Sequence, residues 1–349
     1  MPQNTTTFSI SPEKEASLSQ FLYRQLFVHP KALSRRDVDL SGKTAIVTGS
    51  SGGIGLECAR QLLDLGISNL ILAVRNESKA EALVDSLSTE RKTRPNIEVW
   101  KLDYLSYDSI IEFVDRASGL ERLDVVVLNA GIYRTTVNLV PSTGHEENVQ
   151  VNYLSTVLLL TRLLPVLKAK AKGLQPGRIT IVSSDTAAWY DLKQKNEDPL
   201  LPSFDKHEPN FHHHERYANS KLLSQLFITE LAKRVPPSVA IVNCVNPGFC
   251  HSSGLTRDAD GTFLGLVVGV MVRLLGRPPS VGATSLVDAA VCHGEEAHGQ
   301  YLEDRILTPM APFVYSPDQA RVMPRLWKET MSELAFAEVE GIIQELTSK

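Results

Sequence analysis

Basic charge is neither abundant nor clustered in this chain. Its 36 Lys and Arg face 40 Asp and Glu, a formal charge of −4. No run of cations reaches the density that a phosphate backbone requires, which excludes nucleic acid as a main partner. Cysteine is scarce too. Cys58, Cys244, Cys250 and Cys292 are the four in 349 residues, and none forms a CxxC pair. Neither a disulfide framework nor a zinc ribbon follows from that spacing, and reduced thiols in a cytoplasmic protein are the expectation. The N-terminus MPQNTTTFSISPEKEAS has no basic segment leading into an apolar one, so no secretory signal is expected and the sequons at Asn4 and Asn76 carry no meaning. Long apolar runs are missing as well. The longest uncharged one, FLGLVVGVMV from Phe263 to Val272, falls short of the roughly 20 residues that cross a bilayer. It suits a lid helix or a peripheral membrane contact. There is no internal repeat and no low-complexity tract.

What is present is a large globular inventory, 43% hydrophobic and 22% charged, enough for a sizeable core in one domain. Residues 1–40 read as an N-terminal helical extension: Ser11-Pro12 starts a helix, QFLYRQLF carries an apolar face and HPK ends it. From Lys43 onward short β-branched runs alternate with helical patterns. TAIV, NLILAV, IEVWKL, DVVVLN, RITIVS and VAIVNCV are the strands, with helices expected over Ile54 to Leu65, around Lys79 to Ser88 and near Ser109 to Ala117. That rhythm is the one of βαβ units, and purely apolar strands imply a parallel sheet covered on both faces. The expected fold is therefore α/β, a doubly wound parallel sheet in three α/β/α layers. It occupies residues 41–310 as a single domain, with a C-terminal helical segment over 311–349. Asp185 to Glu215 is the one long irregular stretch, and such loops are usually functional or mobile.

The first βα junction reads TGSSGGIG, Thr48 to Gly55. Glycines there let the backbone turn tightly and approach a pyrophosphate, which the helix N-terminus attracts. No Gly-Lys-Ser/Thr follows, which disfavours a nucleoside-triphosphate loop. The spelling admits two readings: Gly49, Gly53 and Gly55 fit TGxxxGxG, whereas Gly52 and Gly55 fit TGxxGxxG. DVVVLNAG, ending in Asn129-Ala130-Gly131, separates them. With that segment the chain resembles the short-chain dehydrogenase/reductase family over roughly Ser41 to Leu307. GKTAIVTGSSGGIGLECARQL, GHEENVQVNYLSTVLLLTRLLPVL and RITIVSS bring it nearest to retinol-dehydrogenase-like members and their fungal secondary-metabolism relatives, whose extension SQFLYRQLFV also resembles.

The resemblance implies a Rossmann fold and a nicotinamide dinucleotide held by Gly49, Ser51, Gly53, Ile54 and Gly55 of the turn and by Asn129, Ala130 and Gly131. An NAD enzyme of this fold places a carboxylate at the end of the second strand. Here Val74 is followed by Arg75, whose guanidinium suits a 2′-phosphate, so NADP(H) is the expected cofactor. Asp103 resembles the residue that binds the adenine amino group, with a turn cap as the alternative. Pro247 and Gly248 resemble the loop beside the nicotinamide; Cys250 follows in it, and Ser252 stands where a threonine often contacts the carboxamide.

For catalysis the resemblance assigns Asn152, Ser184, Tyr217 and Lys221. Tyr217 and Lys221 are four apart in RYANSKLLSQLFITELAKR, and positions i and i+4 share a helix face at about 3.6 residues per turn. Carbonyl reduction leaves alkoxide charge on oxygen, so an acid must sit within hydrogen-bond reach. Tyr217 would donate that proton, with Lys221 favouring the phenolate and holding the nicotinamide ribose. Ser184 would orient the substrate oxygen, and Asn152 would anchor a water linking Lys221 to solvent. Tyr217 and Lys221 thus belong to both the catalytic and the cofactor-binding sets.

DLKQKNEDPLLPSFDKHEPNFHHHER, between Ser184 and Tyr217, resembles the insertion of retinol-dehydrogenase-like enzymes. His212, His213 and His214 lack the spacing of a ligand set, so no metal is expected; a mobile rim of the substrate pocket is the expectation. Residues 250–280 stand where the family carries its substrate lid, and their apolar stretch from Phe263 to Leu275 suits a small lipophilic carbonyl or alcohol substrate. An NADP(H)-dependent oxidoreductase follows, interconverting a ketone or aldehyde with an alcohol in fungal secondary metabolism. A non-catalytic dinucleotide sensor is the alternative from another class, and it would need no complete tetrad. No motif encodes the oligomeric state.

Overall fold

The computed structural model describes residues 8–89, 95–172, 175–206, 212–251 and 275–347. Among these residues eight strands form one sheet in the order β3-β2-β1-β4-β5-β6-β7-β8. They are β1 (Thr44–Thr48), β2 (Asn69–Val74), β3 (Asn96–Lys101), β4 (Val125–Leu128), β5 (Gly177–Val182), β6 (Ala240–Asn246), β7 (Tyr301–Glu303) and β8 (Ile306–Thr308). All pairings are parallel except the last, in which β8 runs back along β7 through Asp304 and Arg305, both at positive φ. The strand order reverses between β1 and β4, whose register places Val47 opposite Val127. Ligands of such sheets bind beyond the carboxyl ends of the strands at that reversal.

The strand residues are buried on both sides because side chains alternate faces with a period of two. Ala45 and Val47 enter one core layer and Ile46 the other. The first layer lies under α2 (Gly53–Asp64) and α7 (Pro279–Val291). The second lies under α4 (Tyr107–Ser118), α5 (Glu147–Lys170) and α6 (His213–Arg234), with α8 (Pro317–Glu333) and α9 (Val339–Thr347) packed outside it. α3 (Glu77–Thr89) crosses from β2 to β3. The helix α5 is long and apolar enough to span a bilayer, yet 89% of its most apolar window is buried inside the protein. It is apolar all round because it is the central helix of its layer.

Two expectations change on folding. The N-terminal extension does start a helix at Ser11-Pro12, a short one over Pro12–Glu15, but the helix that follows, α1 (Leu18–Phe27), begins at the Ser17 cap and buries Arg24 and Gln25 in the main body. The segment after β5 is irregular but packed: Leu192, Leu200, Leu201 and Phe204 enter the core, and the Glu329 carboxylate of α8 accepts from the amides of Leu200 and Leu201. Its apolar residues have no helical or strand period, so their anchoring was invisible in the pattern.

Candidate active site

The glycine turn joins β1 to α2, and the conformations of its glycines separate the two spellings. Gly49 and Gly53 take φ of 66° and 58°, which favours glycine, while Gly52 is extended. A Cβ on Gly49 would lie 3.0 Å from Ala130 Cα; one on Gly55 would lie 2.5 Å from Asn129 Nδ2 and 2.6 Å from Gly49 O. The pattern of Gly49, Gly53 and Gly55 is the one the backbone uses. Asn129 is what fills the space. Its Nδ2 donates to Thr48 O at 3.0 Å, and Ala130 N donates to Thr48 Oγ1. The asparagine side chain therefore braces the turn from beneath, and its amide is spent there. Above, Gly52 caps α2 without a side chain, leaving the first helical amides open to an anion, and the groove fits a pyrophosphate. Ser51 and Ile54 flank the same turn.

Arg75 lies exposed just beyond the end of β2. The sequence reading missed its neighbour Lys79, whose Nζ comes within 3.8 Å of where a Gly52 Cβ would be. The signal was the four-residue interval from Arg75 into the first turn of α3. Asp103 is half-buried and its Oδ1 accepts from Leu105 N, so the turn-capping role is real for one carboxylate oxygen.

The tetrad residues come from three elements. Asn152 sits in a π-helical turn, Gln150–Ser155, within α5. Such bulges often mark functional positions. The widened turn lets its side chain leave the helix: Oδ1 accepts from Ile132 N and Nδ2 donates to Ile132 O, both at 2.9 Å. Those bonds fix the chain after β4, where a Gly131 Cβ would stand 3.1 Å from Asn152 Oδ1 and 3.4 Å from Lys221 Nζ. Only a residue without a side chain leaves that gap. Lys221 donates to Val182 O at 2.9 Å at the tip of β5.

The two serines after β5 divide. Ser183 is buried and accepts from Gln225 Nε2. Ser184 caps the turn Asp185–Ala188, its Oγ accepting from Thr186 N and Thr186 Oγ1, and its hydroxyl lies near enough to Tyr217 to pull that phenol's pKa down. Tyr217 and Lys221 share one face of α6, with Lys221 Nζ 5.9 Å from the Tyr217 ring centroid. The electrostatics depart from expectation. Burial pushes the Tyr217 phenol up to about 12, against the Ser184 hydrogen bond, with Asp185 adding to the rise. Lys221 is itself lowered to about 8 by burial, partly offset by Cys244. A buried ammonium turned toward a carbonyl does not outweigh the desolvation of the phenol. Tyr217 is a neutral donor in this state.

The loop after β6 is locked by α1. Gln25 donates to Phe249 O and Leu275 O and accepts from Phe249 N. Gly248, at φ 73°, leaves room for Arg277 Nη1, which would be 2.9 Å from a Cβ there. Pro247 and Cys250 pack on Gly282, and burial pushes the Cys250 thiol up to about 12, so it is inert. Ser252 and the segment from Phe263 to Val272 lie outside the described residues. His213 and His214, at the start of α6, lie against each other and against Tyr133 in edge-on and tilted ring contacts.

A family model for short chain dehydrogenase matches residues 43–191. The short-chain dehydrogenase fogG of Aspergillus ruber is 50% identical over 345 residues, 98% of this chain and 99% of that protein. The short chain dehydrogenase/reductase mfmJ of Annulohypoxylon moriforme is 42% identical and covers 89% of this chain and 90% of its own. Among solved structures, a 3-oxoacyl (acyl-carrier-protein) reductase from Agrobacterium tumefaciens with NADP bound superposes with a TM-score of 0.59 at 20% identity, over 77% of this chain and 95% of that one. That likeness is one of fold. With near-complete coverage of one relative at half identity, the chain belongs to the short-chain dehydrogenase/reductase family of oxidoreductases.

Proposed function

We propose that the protein is an NADP(H)-dependent oxidoreductase that interconverts a ketone or aldehyde with an alcohol on a lipophilic small molecule, in fungal secondary metabolism. The observation that carries this reading is the meeting of Ser184, Tyr217 and Lys221 at the tip of β5, beside the gap at Gly131 and one strand from the glycine turn. The dinucleotide, when bound, supplies hydride to the carbonyl carbon or takes it back.

This chain does the rest. Ser184 and Tyr217 hold the carbonyl oxygen, and the neutral phenol of Tyr217 gives it the proton. Lys221 holds the nicotinamide ribose and, through Asn152 and a water, returns a proton to Tyr217. Arg75 and Lys79 pair with the 2′-phosphate, Asp103 takes the adenine amino group, and the backbone of Asn129 to Gly131 flanks the ribose. Pro247, Gly248, Cys250 and Ser252 border the nicotinamide. NADP in the Agrobacterium tumefaciens neighbour and the carboxylate-free end of β2 support the phosphorylated cofactor. Residues 41–310 are the catalytic domain, residues 1–40 an N-terminal extension and residues 311–349 a C-terminal helical segment, with the stretch near 250–280 in the role of substrate lid.

The test is NADPH oxidation by purified protein across a panel of ketones and aldehydes. Tyr217→Phe is expected to abolish turnover while leaving NADPH binding nearly intact. Tight NADPH binding with no turnover on any carbonyl would replace this reading by that of a redox sensor.

A further inference from the structure

The mouth of the site is built from aromatic rings in a way that packing alone does not require. Tyr133, two residues beyond Gly131, lays its ring edge-to-face on Tyr217 with centroids 5.2 Å apart. Its hydroxyl is hydrogen-bonded to His214 Nδ1 at 2.6 Å, which fixes the ring orientation. His213 approaches the same tyrosine edge-on at 5.8 Å and stacks on His214 at 4.2 Å. Both histidines are held below their ordinary pKa, first by burial and then by the histidine that precedes each, His212 for His213 and His213 for His214. Behind Ser184 a small crevice is lined by Trp189 and Met310 together with the charged Glu15, Arg24, Asp185 and Glu303. Trp189 is itself held edge-on by Phe21 of α1 at 5.0 Å. Tyr133 is half-buried, His214 is exposed and Trp189 is 40% exposed. Large rings kept partly in water beside a reacting centre mark a binding surface.

We propose that the substrate's carbonyl is attached directly to a planar aromatic ring, which seats against Tyr133 once its oxygen is on Tyr217 and Ser184. This rests on the oxidoreductase reading for the position of the reacting carbon. A carbonyl bound at the Tyr217 hydroxyl places its substituent next to a ring 5.2 Å from the Tyr217 ring. Rings gain from edge-to-face and offset contacts that a saturated carbocycle of the same size cannot make. The Tyr133 to His214 hydrogen bond pre-organises the wall, so little ordering cost falls on binding.

The experiment compares 2-naphthalenemethanol with its decahydro counterpart, each titrated into the native protein saturated with NADPH, with which an alcohol does not react, and read by calorimetry or NMR. Burial of apolar surface alone favours the saturated compound. The expected result is that the naphthyl alcohol binds about tenfold tighter, that Tyr133→Leu removes the preference without changing NADPH affinity, and that Tyr133→Phe keeps it. Equal or tighter binding of the decahydro compound by the native protein, or an undiminished preference in Tyr133→Leu, would overturn the proposal. Reduction of the two matching aldehydes with NADPH is measured separately. Ring-selective binding with no reduction counts against the oxidoreductase reading alone, whereas reduction without ring selectivity counts against the aromatic substrate alone.

Discussion

Arg24 of the N-terminal helix donates a 2.7 Å hydrogen bond to Asp185, the residue that follows Ser184. The same guanidinium faces Glu303 at 3.0 Å and also Glu15. One cation thus stands among three carboxylates, all buried or nearly so. Burial raises the Asp185 carboxyl and Arg24 pulls it down. Arg277 extends the network, reaching Asp304 and donating to Arg24 O. Behind the proposed catalytic serine lies a closed ionic cluster whose positive member belongs to a helix outside the βα repeat.

Removing that member leaves buried carboxylates uncompensated. Arg24→Gln is expected to destabilise the fold by about 3–5 kcal/mol, measured by denaturant unfolding. Adding Asp185→Asn should recover part of the loss, and a purely additive cycle would show that the two side chains do not interact.

The pH profile should carry the signature of a discharged lysine. Burial holds Lys221 down to about 8, against roughly 10.4 for an unfolded lysine. Between those values the unfolded chain binds more protons than the folded one, so the lysine's contribution to stability rises with pH. Catalysis runs the other way, because the charge is lost. Reductive kcat/KM is expected to fall tenfold per pH unit above about 8. Tyr217, pushed up to about 12, contributes nothing to that limb. A flat profile to pH 10 would rule out Lys221 as the titrating group.

Cofactor choice is expected to rest on two cations. Arg75→Ala and Lys79→Ala should each weaken NADPH by about 10- to 100-fold, the worth of a charge-assisted hydrogen bond, and leave NADH within about twofold. Fluorescence titration with both nucleotides reads this directly. Equal losses for the two nucleotides would place the cations elsewhere on the dinucleotide.

The fold was legible because each strand is a short apolar run and each crossover helix has its own period. Val47, Leu72, Val127 and Val245 could hardly be anything but buried strand residues. The proposed catalytic positions came from the family resemblance instead, since a tyrosine and a lysine four apart, as at Tyr217 and Lys221, are by themselves an ordinary pair on a helix face. What stayed hidden depends on contacts distant in sequence. Nothing near Asn129 says that its amide will wedge between Gly49 and Gly55, and nothing near Arg24 points to Asp185. The π-helical turn at Asn152 was hidden because a single wide turn leaves the helical period almost unchanged. The sign of the Tyr217 shift was missed because desolvation is a property of the completed core, which no local spacing encodes.

Gln25 ties together segments distant in sequence: its amide grips the backbone at Phe249 and Leu275, while Arg24 beside it pairs with Glu303. The helix leaves the ribosome 224 residues ahead of Phe249 and 250 ahead of Leu275. The helix therefore stays without these partners until the chain through Glu303 has been made. Its amphipathic face, with Tyr23, Leu26 and Phe27 still exposed in the finished fold, makes that interval the one in which a nascent chain most needs a chaperone.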